Sequence, residues 1–133
     1  MPERNAFKGT SGLHRLKNAL KYSMAGFRAA WLEEEAFRQI LCVALISWIC
    51  AVLLAQNWLE LVMLILPSAL CIIVELLNSS LENLADSITL EPHEFIKKAK
   101  DMGSAAQCAA QTFLCIVWIT YLVMRLFHPD SLP

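Results

Sequence analysis

Glu75, Asn78, Ser79 and Glu82 close the apolar run 59–84, and Asp86 follows it. Their spacing of i, i+3, i+4, i+7 and i+11 sets all five on one face of a helix. A charged group at the centre of a membrane helix costs roughly 2.5–3.5 kcal/mol, so such a stripe marks a functional site. Carboxylates from different segments at one height are oxygen ligands for Mg²⁺, which takes one or two of them and shares the rest of its shell with phosphate and water. A lysine beside them neutralises a phosphoryl group in transfer. Glu75, the most desolvated of these acids, is suited to act as a general base toward a hydroxyl at headgroup depth.

The elements that must carry these groups are membrane helices. The chain has 133 residues, 57% of them hydrophobic, and a mean hydropathy of +0.50. That composition fits one small integral membrane domain. Three runs, 36–55, 58–84 and 105–127, each reach the ~20 residues needed to cross ~30 Å of hydrocarbon. Gln56 and Asn57 make a tight turn that pairs the first two runs as an antiparallel hairpin, and Pro67 predicts a kink in the second. Leu90, Glu91 and Pro92 break the helix that leaves the second run, and the polar stretch 85–104 connects it to the third. Lysines and arginines precede the first run and sit in the 85–104 connection, while the 56–57 turn has none. The N-terminus and that connection are therefore expected in the cytoplasm, with the C-terminus on the periplasmic side.

Residues 13–33 have their own pattern. Leu13, Leu16, Leu20, Met24, Phe27 and Trp31 recur at helical spacing, flanked by Lys17, Lys21 and Arg28, with Arg15, Asn18 and Tyr22 opposite. This predicts an amphipathic helix lying on the cytoplasmic membrane surface. Residues 1–12 are a loose lead-in. The first apolar run begins near residue 36, so no cleavable signal peptide is expected.

Depth brings the polar groups together. About 20 helical residues from Trp58 reach Leu77 at the inner boundary of the hydrocarbon. Glu75 then lies just inside, Asn78 at the edge and Glu82 about a turn beyond. Glu33, Glu34 and Glu35 stand at the cytoplasmic start of the first run, and Lys100 and Asp101 just before the third. Glu60, near the other boundary, reads as an interfacial residue, and Gln107 and Gln111 as amides that join helices.

Other chemistries are excluded. The net charge of -1 gives no basic field for nucleic acid. The cysteines Cys42, Cys50, Cys71, Cys108 and Cys115 all lie in apolar runs without a CxxC pair, and read as free packing thiols. There is no GxxxxGK[ST], HExxH or GxSxG. A pore is a competing reading of the acidic stripe, but a pore is polar through its full depth, and the outer half of the second run is apolar on every face. An assembly protein without catalysis would not need Lys100 and Asp101 at the height of the acids.

Three motifs go further. Glu75-Leu-Leu-Asn78-Ser-Ser-Leu-Glu82-Asn-Leu-Ala-Asp86 resembles the ExxNxxxExxxD signature of bacterial membrane diacylglycerol kinases. Ala99-Lys100-Asp101-Met102-Gly103-Ser104-Ala105-Ala106 is similar to that family's second signature, and the segment from Arg28 through Trp31, Glu34 and Arg38 to Gln39 resembles its approach to the first span. The resemblance implies an ATP-dependent kinase that converts diacylglycerol to phosphatidate in the bacterial inner membrane. It implies a homotrimer with three spans per chain and active sites built between subunits. It implies Glu75 as the base, with Asn78 beside it, and Glu34 and Glu82 as ligands of the Mg²⁺ bridging the ATP phosphates. Lys100, Asp101, Arg15, Tyr22, Glu91 and His93 match nucleotide-contacting positions. Arg28, Trp31 and Ser104 match substrate-side positions, as does Arg15. Pro92, Ile40 and Pro67 depart from the family pattern without removing a motif acid. The family also contains undecaprenol kinases, the alternative activity; the AKDMGSAA form of the second signature is closer to the diacylglycerol branch.

Overall fold

Apolar runs of this length can bury their backbone in lipid only as helices, because every N–H and C=O must find a partner within the segment. The computed structural model describes residues 12–127, which form four helices. They are α1 (Gly12–Glu33), α2 (Glu35–Leu54), α3 (Trp58–Ile88) and α4 (Glu94–Phe127). The last three are long and apolar enough to cross a membrane.

With 20 residues, α2 matches ~30 Å of hydrocarbon at ~1.5 Å per residue. The 31 residues of α3 and 34 of α4 exceed it. Helix and span are thus different lengths here. The polar residues after 84 mark where α3 leaves the apolar layer, but the helix continues to Ile88, and only 89–93 are non-helical before α4 begins. Polarity ends burial, whereas the bend toward Pro92 ends the helix.

α3 is the central element and packs against both α2 and α4. α2 buries Phe37, Ala44 and Ala51, seven residues apart and so on one face; Ala51 packs with Leu64 of α3, and small residues there let helix backbones approach. Trp48 Nε1 donates to Ser68 Oγ at 2.7 Å, tying the two helices at mid-depth. α3 runs through the buried Pro67 without a break. Ala51, Leu64 and Tyr121 form a small core near the hairpin turn.

That turn is more elaborate than its two polar residues suggest. Asn57 caps α3, its side-chain oxygen accepting from the Glu60 amide at 3.0 Å. The Glu60 carboxylate accepts in return from Gln56 N at 3.1 Å and Asn57 Nδ2 at 3.0 Å. Tyr121 of α4 donates to Leu54 O at 2.9 Å and reaches Glu60 Oε2 at 3.3 Å. The Gln56 amide oxygen, turned to face α4, accepts from Arg125 at 3.0 and 3.2 Å. Glu60 is therefore no surface residue at a boundary: it is only 6% exposed and binds three segments together.

At the opposite end, α1 and α2 are separated by the single extended residue Glu34 (φ -107°, ψ 109°). Arg38 donates to the Trp31 and Leu32 carbonyls at 2.9 and 3.4 Å, satisfying acceptors left open where α1 ends. α1 is held through buried Ala30 and through Phe27, whose ring centroid lies 6.5 Å from that of Phe37. Leu13, Leu16, Leu20, Met24 and Trp31 are exposed on the chain.

Candidate active site

Three residues of the stripe on α3 face a pocket of about 320 Å³ between α2, α3 and α4. Glu75, Asn78 and Glu82 line it from α3, Glu34 from the α1–α2 break, and Ser104 and Gln107 from α4. Glu75 is 3% exposed. Three carboxylates from two segments thus share one wall system, and the helical spacing of the stripe is what aims two of them the same way.

Hydrogen bonds fix the rim. Asn78 Nδ2 donates to Glu82 Oε1 at 3.1 Å, one turn along α3. Asn83 Nδ2 donates to Glu34 Oε1 at 3.0 Å and to the Ser79 carbonyl at 2.9 Å. Asn83 therefore holds the Glu34 carboxylate against α3. The Asn78 amide sits directly against Gly103 of α4, where any side chain would overlap its Oδ1. That close approach is the reason for glycine at 103.

A second pocket, about 290 Å³, opens at the 89–93 connection and is lined by Asp86, Glu91, His93, Lys97, Lys100 and Asp101. Lys100 Nζ reaches Asp86 Oδ1 at 2.9 Å, joining α4 to α3, and Lys97 pairs with Asp101 at 2.7 Å within α4. Asp86 stands one helical turn beyond Glu82 on the same face, so the two pockets are neighbours along α3. The anticipated nucleotide-side residues Glu91, His93, Lys100 and Asp101 gather here, and Glu34, Glu75, Asn78, Glu82 and Ser104 gather in the first pocket.

Arg15, Tyr22, Arg28 and Trp31 do not join them. They lie exposed along α1 and line neither pocket. A pocket of about 410 Å³ does separate α1 from α3, lined by Ser23, Gly26, Ala30 and Asn83 among others, and Glu34 is a wall it shares with the acidic pocket.

Three participants escape a reading by motif spacing. Asn83 sits at the edge of the stripe and is found only through its bond to Glu34, 49 residues away. Gly103 reads as part of a signature but not as a contact. Gln107, expected to join helices, is 7% exposed, and neither atom of its amide has a partner among the described residues.

The donor set fits a phosphate-borne cation. Glu34 and Glu82 supply two hard carboxylates to one pocket, the number Mg²⁺ takes when phosphate and water complete its shell. No group of three or more metal-ligating side chains is gathered closely enough among the described residues to form a cage of its own.

A family model described as prokaryotic diacylglycerol kinase matches residues 21–122. A diacylglycerol kinase of Helicobacter pylori (strain 26695) is 47% identical over 112 residues, covering 84% of this chain and 88% of the relative. One of Pseudomonas aeruginosa is 45% identical, covering 88% and 95%. One of Escherichia coli K12 is 42% identical, covering 85% and 93%.

Proposed function

The chain belongs to the prokaryotic diacylglycerol kinase family, and from that premise we propose that it transfers the γ-phosphoryl group of ATP to the free hydroxyl of diacylglycerol at the cytoplasmic face of the inner membrane. The observation that carries this reading is the buried Glu75 in one pocket with Glu34 and Glu82, next to a pocket bearing Lys100.

The hydroxyl oxygen attacks the γ-phosphorus, its proton passes to the Glu75 carboxylate, and the bond to the β-phosphate oxygen breaks to release ADP. Burial keeps water from competing for the phosphoryl group. Asn78 steadies Glu82, and Asn83 steadies Glu34. Glu34 and Glu82 would hold the Mg²⁺ carried by the nucleotide, which when bound offsets phosphate charge. Lys100 and Asp101, with Glu91 and His93, form the nucleotide side; Ser104 lies on the lipid side. Arg15, Tyr22, Arg28 and Trp31 reach substrate only if α1 lies on the membrane beside another subunit, as in a homotrimer whose active sites are shared.

The test presents diacylglycerol and undecaprenol side by side, in mixed micelles, to the purified chain with radiolabelled ATP. Label is expected in phosphatidate. Label in undecaprenyl phosphate alone would replace the substrate, and label in neither would defeat the reading.

A further inference from the structure

Gln107 is the polar side chain on which the structure leaves most unspent. Both amide atoms are buried and without a partner among the described residues, and the residue lines the pocket that contains Glu75. A buried amide without partners costs free energy, so its position calls for one. Its height follows from the helix register. Gly103 lies against Asn78, α3 and α4 run antiparallel, and four residues further along α4 bring Gln107 level with Glu75. The pocket also continues away from the acids. Gln39, Ile40 and Gln111 are shared with a second cavity of about 260 Å³ walled by Val43, Cys71 and Leu114.

A lipid whose hydroxyl meets Glu75 must therefore lay its next atoms past Gln107 and its chains along that apolar furrow. In an acylglycerol those next atoms are ester groups, whose carbonyls are pure acceptors. In a polyprenol the hydroxyl is the one polar group, and Glu75 with the incoming phosphoryl group already engages it. We propose that Gln107 is a substrate-recognition residue: its amide N–H donates to an ester carbonyl of the lipid and selects a glycerol ester over a plain long-chain alcohol. This rests on the acylglycerol kinase reading above and assigns to it the group that reads the lipid.

The test compares 1,2-dioleoylglycerol with its di-O-alkyl ether analogue, which keeps the hydroxyl and chains but lacks both carbonyls. Both are presented to the full chain in mixed micelles with ATP. The unsubstituted protein is expected to favour the ester in kcat/KM by about tenfold, the worth of one net hydrogen bond. Gln107→Leu should lose about that factor on the ester and little on the ether, bringing the ratio toward one. Gln107→Met, unbranched and of similar length, guards against misfolding of the leucine variant and should behave alike. Equal turnover of ester and ether by the unsubstituted chain would overturn the proposal. So would equal losses on both lipids in the variants, the pattern expected if Gln107 pairs with a second copy of the chain. Failure of the unsubstituted chain on both lipids would instead overturn the kinase reading itself.

Discussion

At the scale of single residues, contacts on the pocket rim separate stability from activity. Gly103 is a helical residue whose absent side chain makes room for Asn78. Alanine at this position gains helix propensity of about 1 kcal/mol but pushes the Asn78 amide off its bond to Glu82. The gain and the lost hydrogen bond nearly offset, so Gly103→Ala is expected to melt close to the parent while turning over on the order of tenfold more slowly, because small displacements of positioning groups are costly to rate. Thermal melts and initial rates on one preparation check this. Lys100 is half-exposed and pairs with an exposed Asp86, a kind of ion pair that contributes little to stability. Lys100→Met should leave the melting temperature in place and raise KM for ATP, which a nucleotide titration measures. The acids of the pocket were legible in the sequence because helical spacing aims them one way and hydrocarbon makes them conspicuous. Asn83 and Gln107 were not, since an amide's partner, or its lack of one, depends on a helix far away in the chain.

At the scale of elements, the two ends of the hairpin do different work. Near the turn, Glu60 gathers Gln56, Asn57 and Tyr121, far along α3 from Glu75. Glu60→Ala removes the charged acceptor of the Gln56 N–H and the Asn57 amide and is expected to cost about 1.5–3 kcal/mol, the worth of a hydrogen bond to a charged group; Glu60→Gln should cost less. Neither should alter kcat of the folded fraction, and unfolding in mixed micelles followed by circular dichroism, with rates per folded molecule, distinguishes the two effects. The helices themselves were readable from length and apolarity, and the break near Pro92 from the proline's steric demand. The start of α4 at Glu94, well before the third apolar run, was not, because polar residues signal the end of burial rather than of helix. The role of Glu60 was hidden too, since its partner Tyr121 lies 61 residues away.

At the scale of the whole molecule, every acid or lysine assigned to chemistry lies toward one end of the helices, and the Glu60 network closes the other. The orientation expected from the lysine and arginine distribution has the chemical end facing the cytoplasm. Cysteine introduced at Trp58, which is exposed, should react with an impermeant maleimide in right-side-out vesicles. Cysteine at Glu94 should react only in inverted ones, and the reverse pattern would turn the protein over. The proposed phosphoryl transfer depends on Glu75 taking the lipid hydroxyl's proton. Glu75→Gln keeps the shape and removes the base, so phosphate transfer from ATP to diacylglycerol, measured on protein shown to be folded, should fall by about 10²–10⁴-fold. Turnover within a few-fold of the parent would contradict it.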